Sequence, residues 1–111
     1  MDRAMKIAHF TTFSPNRSGL YETTRDMVVA QNRLGIDSAI VPSPVPPDIK
    51  NTMKMEKRPT PIRDFEWAKD ADIHVLHSII PDSMLFKKPT IYINHGMPEA
   101  ALFEDCAYDG V

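Results

Sequence analysis

Cysteine occurs once in the 111 residues, at Cys106, so the chain can form neither an internal disulfide nor a cysteine-rich zinc site. That scarcity agrees with a reducing compartment. A basic field is missing too: 13 Lys and Arg stand against 15 Asp and Glu, for a formal charge of −2. No Lys/Arg cluster alternates with aromatics as a nucleic-acid surface requires. Nor does any apolar run approach the roughly 20 residues that span a bilayer, and Met1 to Met5 leads into a strand pattern rather than a signal-peptide core. These absences argue against nucleic acid, a membrane span and secretion, and they make the cytoplasm the expected location. Neither GxGxxG nor GxxxxGK(S/T) occurs, so the two commonest phosphate-loop signatures are also absent.

What is present describes one small domain. Apolar residues make up 42% and charged residues 25%, an ordinary globular balance, and a core at this length buries roughly 65% of the unfolded chain's surface. KIAHFTT (Lys6 to Thr12) is a short apolar run closed by the turn signal Ser14-Pro15-Asn16, as in a parallel strand buried on both faces. Ser18 or Gly19 then caps a helix to about Leu34, with Glu22 in its first turn, Arg33 in its last and Gly35 just past its end. Leu20, Thr24, Met27, Gln31 and Leu34 mark the face expected to pack on a sheet. IDSAIV (Ile36 to Val41) comes next and completes a strand-helix-strand unit.

Six prolines between Pro42 and Pro61 give a long irregular connection, either a functional loop or a surface excursion with a short helix. Residues 62–70, with Phe65 and Trp67, read as a short helix packed on the sheet. DIHVLH (Asp72 to His77) and Thr90 to Asn94 supply two more strands, joined by SIIPDSMLFKKP. Alternating strands and helices predict an α/β fold, an open, mostly parallel sheet of about four strands with flanking helices. In such folds ligands bind beyond the carboxyl ends of the strands.

Three segments should meet at that edge: the Thr11 to Gly19 loop, His77-Ser78, and His95-Gly96. Amides that open the helix near Gly19 can hold a phosphate, or can simply form a helix cap. His95, with a glycine after it that leaves the approach open, can donate to a sugar hydroxyl or a developing negative charge. It can equally satisfy a local backbone carbonyl. His74 and His77 are three residues apart, so they point to opposite faces of a strand, and His9 reads most simply as a satisfied core histidine. A metal set of His77, Asp82, His95 and Glu99 lacks any close ligand spacing, so no metal is expected. Asp82 and Glu99 as an acid/base pair would need a carboxylate separation that sequence does not give; they read better as charges solvating loops. Ser78 lacks the glycines of a nucleophile elbow, and Cys106 lies in an irregular tail.

The ordered combination MKIAHFTTFSPNRSGLYETTRDMVVAQNRLGIDSAIV, then DADIHVLHSIIP, then KPTIYINHGMPE, resembles the N-terminal, acceptor-side half of retaining GT-B glycosyltransferases. The likeness runs from Met5 to about Glu99, with the Pro42 to Pro61 segment unmatched. It implies a Rossmann-like domain over 5–99, an extension over 1–4 and a tail over 100–111. It also implies transfer of a sugar from a nucleotide-sugar donor to an acceptor by the complete enzyme, with no cofactor and no obligatory metal. By the same resemblance, His95 contacts the transferred sugar, and Ser18 and Gly19 approach the donor diphosphate or the acceptor. His77, Ser78 and Gly96 are the further candidates for substrate contact at the same rim. Ser18-Gly19 stands where many members have Gly-Gly. The family's second Rossmann-like domain, with its paired glutamates, is not in this sequence, so the expectation is a fragment, inactive alone and dependent on a separate or missing C-terminal domain. The alternative is a non-catalytic α/β module that binds a phosphorylated ligand or a partner protein.

Overall fold

The structure is a computed structural model that describes residues 4–15, 19–43, 45–78 and 89–93. In chain order its elements are β1 (Lys6–Thr11), α1 (Gly19–Arg33), β2 (Asp37–Pro42), α2 (Ile49–Met55), α3 (Phe65–Lys69), β3 (Ile73–His77) and β4 (Thr90–Ile93). The four strands form one sheet in the order β2-β1-β3-β4, and every pairing is parallel. This is an open α/β sheet of the Rossmann-like kind, as the alternation of elements predicts. β1 and β3 are central and bury nearly every residue, because helices cover parallel strands on both faces. At the amino end of the sheet the Lys6 amide donates to Asp72 Oδ2 at 2.8 Å and the Asp72 amide to Lys6 O at 2.8 Å, which aligns β3 with β1.

Alternation along each strand sorts side chains to two faces. One face carries Ala8, Phe10, Val41, Leu76 and Tyr92, packed with Ala68 and Ala71 and flanked by Phe65 and Trp67. On the other, Ile40 packs with Tyr21 and Val28 of α1 and with Phe13. His74 belongs to the first face: its Nε2–H donates to Ala68 O at 2.9 Å and its ring meets Phe10 edge-on. His77 belongs to the second, as their spacing predicts.

α1 is rotated from the expected stripe. Its buried residues are Tyr21, Thr24 and Val28, while Leu34 is 78% exposed. Spacings of three and four admit two overlapping stripes about one residue apart, and Tyr21 wins a buried place because its hydroxyl has a polar partner in Glu56. Leu34 lies in the closing turn, past the sheet. There the Gly35 amide donates to Asn32 O and the Ile36 amide to Gln31 O, a Schellman motif with Gly35 at φ +87°. Asn32 Nδ2 donates to both Val28 O and Ser38 O at 2.8 Å, tying this end of α1 to β2.

The proline-rich connection contains α2, a helix with no buried residue. An ion network holds the segment just after this helix against α1. Arg58 pairs bidentately with Glu22 of α1 (2.6 and 2.9 Å) and reaches Glu56 with Nε and a terminal nitrogen, both at 2.7 Å. Tyr21 donates its hydroxyl to Glu56 at 2.5 Å and Arg25 Nε donates to Thr60 at 2.9 Å. Beyond Thr60 the chain runs beside β2: the Ile40 amide donates to Pro61 O and the Arg63 amide to Ile40 O, each at 2.9 Å. This parallel bridge covers an otherwise open sheet edge. It also delays the next helix to Phe65, where Asp64 caps it by accepting from the Trp67 amide at 3.1 Å.

Candidate functional site

The carboxyl ends of β1 and β3 bring Thr11, His77 and Ser78 together on one edge. Phe10 pairs with Leu76, so Thr11 and His77 are the next residues of adjacent strands and share a face. Both are fully buried. The Thr11 hydroxyl has no hydrogen-bond partner among the described residues. Ser78 turns the chain with a left-handed φ of +55°, a conformation that costs a non-glycine residue about 1–2 kcal/mol. Its amide donates to Ile93 O at 2.9 Å, which fixes the end of β4 beside it.

A buried polar chain extends inward from His77. Its Nε2 lies 2.8 Å from His9 Nδ1, with the rings stacked at 5.1 Å, and His9 Nε2 lies 2.7 Å from Gln31 Oε1. Ser38 Oγ donates to the same oxygen at 2.6 Å. These contacts assign the protons. A carbonyl oxygen only accepts, so with Gln31 in this orientation His9 carries its proton on Nε2; a neutral His9 then receives a hydrogen bond at Nδ1 from His77 Nε2–H. Burial holds His9 in the neutral form, lowering its pKa to about 4 against the opposing pull of the Gln31 hydrogen bond. The chain therefore fixes the ring and tautomer of His77 from behind, through one residue each of β1, α1 and β2.

Gly19 begins α1 on the far side of the loop that leaves β1. A Cβ built there meets nothing within 4 Å, so packing does not require a glycine at this position. Of the sequence candidates, Gly19, His77 and Ser78 are thus placed at this end of the fold. Ser18, His95 and Gly96 lie outside the described residues, as do Asp82, Glu99 and Cys106. Ile93 pairs with His77, and His95 stands two positions after Ile93 in the sequence. Among the described residues no group of three or more His, Cys, Asp or Glu side chains could hold a metal ion.

Protein-family models, curated proteins and solved structures yield no match to this chain. Its chemistry must be read from its own residues. Among the described residues no helix is long and apolar enough to cross a membrane.

Sequence reasoning missed the partners in both polar networks. Gln31 was legible as a polar residue within an apolar stripe, which is the signal of a buried acceptor facing the sheet. Glu56, Arg58 and Thr60 gave no such signal. Their contacts with Tyr21, Glu22 and Arg25 join residues about 35 positions apart, and no spacing rule reaches that far.

Proposed function

We propose that this chain is the acceptor-side, N-terminal portion of a sugar-transferring enzyme of the retaining GT-B type, using a nucleotide-sugar as donor. The observation that carries the reading is the convergence of α1's first amides, His77-Ser78 and the end of β4 at the carboxyl edge of an all-parallel sheet, where α/β folds bind ligands. The order of sequence elements supports it independently. In this reading His95, two positions after Ile93 in the sequence, donates to the transferred sugar or the leaving group. Ser18, Gly19 and the adjoining amides face phosphate or acceptor, favoured by the positive end of a 15-residue helix. Ser78 shapes the rim and His77, which is buried, positions it, while Gly96 has no side chain to obstruct a ligand held by His95. The nucleotide is held chiefly by a second domain outside this sequence, so no cofactor is required of this one.

In the complete enzyme His95→Ala should reduce sugar transfer by about a hundredfold or more while the far-UV spectrum stays unchanged. Unaltered turnover would remove His95 from the mechanism. A second reading, a binding module without catalysis, is favoured by the complete burial of Thr11 and His77, which leaves neither exposed to react. Inorganic phosphate discriminates the two: amide shifts centred on Gly19 in the chain alone, together with no transferase activity in any longer form, would favour the module.

A further inference from the structure

A cleft of about 360 Å³ lies along the β2 side of the sheet, and none of His9, His77, Gln31 or Ser38 lines it. Its walls come from Pro42 and Val45 on one side, Ile49 and Met53 of α2, and the run Ile62 to Phe65 with Trp67. This volume falls within the range of small-molecule sites, which are apolar hollows with a few polar groups at the rim. The apolar wall is not covered: Val45 is 53% and Met53 43% exposed at the mouth.

Two features make this more than a packing gap. α2 is only seven residues long and fully buries no residue; Ile49 anchors it against the Phe13-Tyr21-Val28-Ile40 cluster, while Met53 stays exposed at the mouth of the cleft. The Tyr21-Glu56-Arg58-Glu22 network fixes the chain directly after it, and so holds Ile49 and Met53 opposite Phe65 and Trp67 with the hollow between them. The charges at the rim are also unequal in availability. Asp64 is committed to the cap of α3 through Oδ1. Arg63 is exposed, and its side chain makes no ion pair or hydrogen bond among the described residues. A guanidinium with all its donors available beside an apolar hollow matches a ligand with an apolar body and one anionic head.

We infer that this cleft is a binding site for a small amphipathic anion, a short alkyl chain or a ring pair bearing a carboxylate, sulfonate or phosphate. The apolar body lies between Met53 and Trp67, and Arg63 receives the head. This site stands whether or not the chain belongs to a sugar transferase.

Anilinonaphthalene sulfonate is a suitable probe, because Trp67 is the sole tryptophan and its emission is quenched by transfer to a dye bound beside it. The folded protein should bind one equivalent saturably, with Trp67 quenched. Arg63→Ala should weaken the sulfonate dye about tenfold and leave the uncharged parent amine within about twofold. Val45→Phe, which fills the mouth, should weaken both. Arg63 and Val45 are exposed, so the variants should retain the wild-type unfolding midpoint. On the unmodified protein, decanoate should displace the dye about tenfold better than decanol. Equal loss of charged and uncharged probes in Arg63→Ala, equal displacement by acid and alcohol, or no saturable binding would overturn the proposal. So would light scattering that shows a dimer dissociating as the dye binds, since the occupant would then be a second copy of the chain.

Discussion

Acidification should unfold this protein through His9 before it reaches the carboxylates. The folded pKa is about 4 against an ordinary value of 6.5, because the ring is buried beneath α1. Between those values the unfolded chain binds a proton that the folded chain does not, so stability is full above pH 6.5, falls as pH drops and levels off below about 4. A difference of about 2.5 in pKa corresponds to about 3 kcal/mol. With a urea dependence of about 1.5 kcal/mol per molar, the unfolding midpoint should drop by about 2 M between pH 7 and pH 4. His9→Gln supplies the control. A glutamine amide can still donate to Gln31 but does not titrate, so the variant should begin somewhat less stable at pH 7 and lose about 3 kcal/mol less over the same window. Groups that do not contact His9 contribute equally to both proteins and cancel, and the glutamine carbonyl can accept from His77 Nε2–H in place of His9 Nδ1. If wild type and His9→Gln lose the same stability between pH 7 and 4, the neutral, proton-assigned chain from Ser38 to His77 is wrong.

Other contacts lead to three further expected outcomes. Gln31→Leu removes the shared acceptor of His9 and Ser38 and should cost about 2–3 kcal/mol in urea unfolding, since two buried donors lose their partner; a neutral result would mean that the network is dispensable. Glu56 is pushed up by burial but pulled down to about 2 by hydrogen bonds from Arg58 and Tyr21, so its contribution is present above about pH 4.5 and is lost as pH falls towards 2. Arg58→Ala should start that loss at higher pH, cost about 2 kcal/mol at neutral pH after allowance for solvent screening, and speed proteolysis between Pro42 and Pro61; unchanged cleavage would show that the network does not hold this segment. Gly35→Ala should cost about 1 kcal/mol, purely from its left-handed φ, because a Cβ there meets nothing within 4 Å; a thermal melt that matches wild type would refute the strain argument.

Strand positions were legible because both faces of β1, β2 and β3 are covered, so each reads as an apolar run between turn residues. The Gly35 stop and the Phe65-Trp67 helix were legible for similarly local reasons. The face of α1 was not, because choosing between Leu20 and Tyr21 depends on Glu56, which comes from a distant segment. His9 was readable as a core histidine, and both its ring nitrogens are satisfied. Which histidine it meets depended on register: three residues separate His74 from His77, and only the pairing of β1 with β3 brings the latter to His9. Ser78's left-handed turn and the cleft beside Trp67 carry no local pattern, because each arises where separate segments meet.

The most direct test of the central claim is to sequence the coding DNA onward from the codon for Val111. A sugar-transferase half predicts a continuing or adjacent frame that encodes a second α/β domain with paired glutamates. A stop codon with nothing of that kind beyond it would contradict the claim and leave the binding module as the better account.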